Sequence, residues 1–234
     1  MPRWLRRIAL VALTTAATAA PAAGLLIHDA RLIDGTGAPP RDGVSILIHD
    51  GVLREIAPTV TIPDDIEVID AGGGTVIPGL IDAHVHLFSV PGSAFRGDAE
   101  DEKRARRATH LRAYLANGVT SVLDTGVSFE HLAEIRALLA TGAPGPRVYA
   151  LGPPLSAPGG YADDRPESYA FGFNVPDAAA VTPMIAQLAA ADLAGIKVKI
   201  EHGFGPTKVW PVHHPDVCAA ITEAAASHDL PVYV

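Results

Sequence analysis

One cysteine, Cys218, stands in 234 residues, so no internal disulfide can staple the chain and its stability has to come from packing. Lysine and arginine form no stripe after residue 7, and the formal net charge is −8. Nucleic-acid binding draws its affinity from neutralised phosphates, so the chain is read as having no nucleic-acid partner. The short basic run Lys103, Arg104, Arg106, Arg107 follows directly on Asp98, Glu100, Asp101 and Glu102. That alternation reads as the first turn and solvated face of a helix. No apolar run reaches the roughly 20 residues that a bilayer crossing needs. Internal repeats are absent as well.

The apolar run that comes nearest, Ile8 to Ala20, lies behind Arg3, Arg6 and Arg7 and ahead of Pro21-Ala22-Ala23-Gly24. A positive start, a short apolar stretch and small residues near a cut site describe a secretory signal peptide over residues 1–23. The expectation is a periplasmic or secreted mature chain with no stable membrane insertion. No cysteine near the cut supports a lipid anchor. Cleavage would remove three arginines and no acid, taking the net charge from −8 to −11. Lack of disulfides does not argue against export, because oxidising compartments permit them without requiring them. The remainder, from a chain 48% hydrophobic and 19% charged, has a globular composition. Much of the hydrophobic fraction is alanine, so the positive mean hydropathy overstates how apolar its core is.

Residues 24–77 read as a small all-β unit. Leu25-Leu26-Ile27 and Val44 to Ile48 are strand-like, and Asp50-Gly51 between two apolar runs marks a hairpin whose turn needs positive φ at both positions. A further strand is expected over Glu67 to Ile69. From residue 78 to 234 the pattern becomes strand, helix, strand, helix. Strands are expected at Gly79 to His86, Val119 to Asp124, Arg147 to Leu151, Ile196 to Ile200 and from Pro231. Helices are expected over 99–117, from Glu130 to Ala140, over 177–194 with Pro183 in a first turn, and from Pro215 to His228. Repeated units of this kind imply parallel strands with crossover helices, an α/β fold of the (β/α)₈ TIM-barrel class. About four and a half units are present, which do not close a barrel.

Asp82, His84 and His86 alternate along one strand and so leave the same face. Two imidazoles about 6.6 Å apart along a strand can converge on one cation, and a barrel strand aims them at its C-terminal mouth. Imidazole suits zinc and neighbouring divalent metals. Asp82 is a candidate partner for a ligating histidine or a tie to backbone, and Asp124 either lines the site or belongs to a turn. His202, His213 and His214 are read as exposed loop residues near the mouth, Cys218 as buried packing, and His110 and His131 as helix-surface residues.

The stretch Thr75-Val76-Ile77-Pro78-Gly79-Leu80-Ile81-Asp82-Ala83-His84-Val85-His86-Leu87 resembles the signature of the amidohydrolase superfamily. Gly118 to Gly126, Gly145 to Leu155 and Pro158-Gly159-Gly160 are similar to its imidazolonepropionase-like and prolidase-like branch. The resemblance runs from about Leu25 to Val234. It implies a small β-sandwich ahead of the barrel, a metal-dependent hydrolase of amides, cyclic amides or dipeptides, and a small-molecule substrate. It also implies two divalent metals in the complete protein, zinc by donor type. In that branch a lysine at the end of the fourth barrel strand is carbamylated and bridges two metals. Gly195 to Gly203 matches this region, so the implied metal ligands are His84, His86 and Lys197. Lys199, on the same face and one pleat nearer the strand end, is the rival to Lys197.

Family members take further ligands from the fifth, sixth and eighth strands, the last an aspartate acting as base. The sequence stops inside the fifth strand, so no catalytic base is expected within it, and the chain is expected to be an inactive fragment of its parent enzyme. The alternative is a non-catalytic scaffold or interaction module on the same fold. Assembly into a homo-oligomer is left open.

Overall fold

The structure, a computed structural model, describes residues 24–64, 66–89, 99–163, 172–203 and 209–234. The expected signal peptide lies outside the described residues. The chain forms two compact units, dividing between Pro78 and Gly79.

The first unit is a five-stranded mixed sheet. β1 (Gly24–Leu32) runs antiparallel to β2 (Arg41–His49), which pairs antiparallel with β3 (Val52–Ala57). β4 (Ile66–Asp70) and β5 (Thr75–Val76) both lie parallel to β1. The hairpin between β2 and β3 turns at Asp50 and Gly51, with φ of 53° and 70°, the two positive values that this two-residue turn demands. β2 is buried on both faces from Val44 to Leu47. One face packs Val44 and Ile46 with Ala30 and Leu32, the other Leu47 with Leu26 and Val60.

In the second unit, β6 (Leu80–Val85), β7 (Val119–Asp124) and β8 (Arg147–Ala150) pair in parallel and in chain order. The segment after β8 carries β9 (Leu155–Ser156), which pairs parallel with β10 (Phe173–Asn174). β9 also reaches the next strand of the series through a parallel bridge from Leu155 to Val198. That strand, β11 (Ile196–Lys197), pairs parallel with β12 (Val232–Tyr233). Sequential parallel order with intervening helices is the arrangement of part of a (β/α)₈ barrel.

Each helix has local reasons to start and stop. α1 (Glu100–Ala116) begins where the Glu102 carboxylate accepts from the Ala99 N–H at 3.0 Å, and it stops at Gly118, whose φ is 77°. Ser128 caps α2 (Phe129–Ala140) by accepting from the His131 N–H at 3.1 Å. α3 (Val181–Ala189) follows a single 3₁₀ turn (Ala178–Ala180), which places Pro183 in its first turn. It is shorter than the expected 177–194, because the chain turns at Asp192, where φ is +53°. Pro215 opens α4 (Pro215–Ala226). Strand side chains Val85, Val122, Ala150, Leu155, Ile196 and Val198 form one core with helix side chains such as Leu111, Ile135, Ile185, Leu188 and Ile221.

One reading of α1 and one of α4 are corrected. Arg107 is 3% exposed, not solvated, and its Nη1 donates to the Glu134 carboxylate of α2. Arg104 holds the same pair of helices from outside, with Nε 2.9 Å from Glu134 and Nη2 3.2 Å from Glu130. Arg107 and Leu111 are four residues apart, so the stripe that faces the core contains an arginine. Cys218 is half-exposed, where burial was expected.

Candidate functional site

The C-terminal ends of the parallel strands gather the chemistry. β6 ends at Val85, so His84 belongs to the strand and His86 lies just past it; both are exposed, whereas Val85 and Leu87 between and after them are buried. Their rings meet edge to face with centroids 5.5 Å apart. The two imidazoles named from the sequence thus lie side by side. Asp82 ties backbone, accepting from the His84 N–H at 3.2 Å.

Asp124, at the end of β7, is fully buried, and its carboxylate accepts from two backbone N–H groups: Leu87 at 2.9 Å and Gly126 at 3.1 Å. One Oδ1 also lies 3.9 Å from Nδ1 of His86. Of the two readings offered for this residue, the turn is present in the Gly126 N–H contact. Burial pushes the His86 pKa down, a backbone contact with Gly126 opposes it, and the charges of His84, Lys199 and Lys197 lower it further. A neutral imidazole is the form that binds a metal.

Burial raises the Asp124 pKa to about 7, against the two backbone hydrogen bonds that lower it. The sign follows directly. Between the ordinary value of 3.8 and about 7 the folded protein holds a proton that the unfolded chain has lost, so this residue's contribution to stability falls as pH rises through that window. In metal-free protein, Asp124→Asn removes that titration. Its stability relative to the native protein is therefore expected to improve steadily between about pH 4 and pH 8 in urea unfolding. A stability difference that stays constant across that range would contradict the assignment.

Lys197 on β11 is 6% exposed. Burial lowers its pKa, with the charge of Glu201 acting the other way, and no hydrogen bond to its ammonium is formed among the described residues. Lys199, two residues on, is half-buried and lies with Nζ 4.5 Å from the centre of the Tyr161 ring. Tyr161 meets the 4%-exposed Trp210 edge to face at 5.5 Å.

His213, His110 and His131 differ from expectation, whereas His214 is exposed as expected. His213 is buried at 6% exposure, and burial holds its pKa down, a backbone contact with Leu155 opposing this. His214 is exposed and serves α4 as its cap, accepting from the Asp216 N–H at 3.3 Å. His110 and His131 are half-buried: His110 stacks on Tyr114 at 5.3 Å, and His131 Nδ1 lies 2.8 Å from Ser128 Oγ. Tyr161 and Trp210 were not singled out for the site by sequence, since they sit on loops whose lengths and turns carry no period.

Among the described residues no three His, Cys, Asp or Glu side chains converge as a metal site. The donors present are two imidazoles and a buried amine that has no hydrogen-bond partner among the described residues. They fit part of a divalent-metal shell, since imidazole is a zinc ligand and burial favours the neutral amine from which a carbamate forms.

The fold and this residue set define a parallel α/β protein with imidazole and amine groups collected at the carboxyl ends of its strands. The chain belongs to the amidohydrolase family, whose family model matches residues 75–233. Over 98 residues it is 36% identical to a dihydroorotase of Pelobacter propionicus, a match spanning 42% of this chain and 21% of that protein. A crystal structure of an amidohydrolase superposes with a TM-score of 0.74 at 26% identity, covering 89% of this chain and 55% of that one. A prolidase complexed with N-methylphosphonate-L-proline gives a TM-score of 0.73 at 22% identity over the same shares, a likeness of fold alone. The chain thus spans about half the length of these solved relatives.

Proposed function

We propose that the protein is a metal-dependent hydrolase of carbon–nitrogen bonds, in an amide, a cyclic amide or a dipeptide, with His84, His86 and Lys197 holding part of a divalent-metal centre. The observation that carries this reading is the His84–His86 pair, 5.5 Å between ring centres, within reach of the charge on the buried Lys197. The metal, zinc by donor type, would supply polarisation of the scissile carbonyl and acidification of a water. The chain's own residues do the rest. Asp124 holds the backbone around His86, accepting from the Leu87 and Gly126 N–H groups on either side of the site. Burial favours the neutral Lys197 amine, which can add CO₂ with loss of one proton to give an anionic carbamate. Such a group offers two oxygens to cations. The small-molecule substrate and a β-sandwich role for the sheet of residues 24–77 belong to the same reading. The Arg3-Arg6-Arg7 start supports export of the mature chain from the cytoplasm.

The test is an assay of the protein from the full reading frame on N-acyl amino acids, dipeptides and cyclic imides, before chelation, after it and after zinc is restored. Hydrolysis that disappears on chelation and returns with zinc is expected. Turnover that survives complete chelation would contradict the reading, and bound metal with no turnover on any substrate would favour a non-catalytic scaffold.

A further inference from the structure

Three acids in the parallel strands and the loops that follow them are committed to backbone or to a neighbour. Asp124 is sealed and accepts from the Leu87 and Gly126 N–H groups, and Asp82 accepts from the His84 N–H. Asp163 accepts from the Gly159 N–H at 2.6 Å and from Asn174 Nδ2 at 2.5 Å. Glu201 differs. It is half-buried, and its carboxylate makes no hydrogen bond and no close ion pair among the described residues. The backbone explains where it stands. The ladder of β11 continues past Lys197 through the bridge from Val198 to Leu155, and the Lys199 N–H donates to the Leu155 carbonyl at 2.8 Å. Side chains alternate along such a segment, so Lys197, Lys199 and Glu201 share one side of it. The Glu201 charge accordingly acts on the buried Lys197, against the effect of burial. Once Lys197 adds CO₂ its ammonium is gone, and Glu201 keeps two acceptor oxygens with no cationic N–H to meet them. A carboxylate accepts only, and it accepts most strongly from a charged donor.

We propose that Glu201 receives a primary ammonium of the substrate beside the His84–His86–Lys197 group and so selects amides that carry a cationic nitrogen over neutral ones. The inference rests on the hydrolase reading above and adds a specificity residue to it: Lys197 serves the metal, Glu201 the substrate. Losing Glu201 should raise KM for cationic substrates while leaving kcat and metal content alone. The ammonium is either a free N-terminus next to the scissile carbonyl or the tip of a lysine-like chain, and the probes separate these two sources.

Two pairs of uncleavable probes are titrated by calorimetry into zinc-loaded protein from the full reading frame, with zinc content measured on the same samples. The first pair is 5-aminolevulinate, a glycylglycine with CH₂ in place of the amide N–H, and 5-hydroxylevulinate, which has a hydroxyl for the ammonium. The second pair, 6-aminohexanoate and hexanoate, carries or lacks an ammonium at the far end of a lysine-like chain. In one pair or the other the ammonium probe is expected to bind at least ~10-fold tighter than its neutral twin, the range of a charge-assisted hydrogen bond, and that pair names the source. Glu201→Gln should weaken the preferred probe by about 10–100-fold and leave its neutral twin and the zinc content unchanged, while Glu201→Asp, which keeps the charge, should retain part of the preference. Circular dichroism checks that each variant folds, and the comparison of twins in the native protein stays decisive without any variant. Equal affinity within both pairs, or no loss in Glu201→Gln, would overturn the proposal. So would loss of zinc in Glu201→Gln, which would make the carboxylate a metal ligand. Failure of the native protein to take up zinc with the ammonium preference intact would count against the hydrolase reading instead.

Discussion

Replacing Glu134 with alanine is expected to destabilise the second unit by about 3–5 kcal/mol, the cost typical of breaking a buried ion pair from one side. Arg107 is 3% exposed, and the Glu134 carboxylate is the acceptor for its Nη1. The same carboxylate receives Arg104, so one truncation removes the charge on which two arginines of α1 converge. Burial works against ionised Glu134, but the arginines outweigh it and its pKa lies below the ordinary value. A lowered carboxylate stabilises the fold above its unfolded pKa of about 4.5 and loses that contribution as pH falls. Urea unfolding at neutral pH checks the prediction, and Glu134→Gln, which keeps one acceptor, should cost less. The double change Glu134→Leu with Arg107→Met should recover much of the loss, because a buried pair replaced by apolar groups is often neutral. A loss below ~1 kcal/mol in Glu134→Ala would show that the pair is solvated in solution.

This pair also marks where sequence reading stopped. Lys103 to Arg107 has the alternation of a solvated face, and helical period alone does not tell which of two neighbouring arginines turns inward. Only the packing of α1 against α2 decides that. By contrast β7 and the Asp50-Gly51 hairpin were legible to the residue, since they depend on local patterns: a branched run ended by Asp-Thr-Gly, and a turn that needs two positive φ values. The imidazole pair was legible for the same reason, as it lies on consecutive outward positions of one strand end. His213 was not. Its burial comes from a loop folding over Leu155 across more than fifty residues of sequence, and nothing near it in the chain announces that contact. Tyr161 was hidden likewise, because its partner Lys199 arrives from a different strand.

The central claim is that His84, His86 and Lys197 together hold a divalent metal. Its most direct test is zinc affinity, by competition with a chromophoric chelator, of tag-free native chain against His84→Ala/His86→Ala. Loss of groups that merely orient a metal ligand typically costs 10–100-fold in affinity, so removal of two ligands should cost at least ~100-fold. Lys197→Met should show a smaller loss. Equal zinc affinity in the native chain and the double variant would contradict the claim outright.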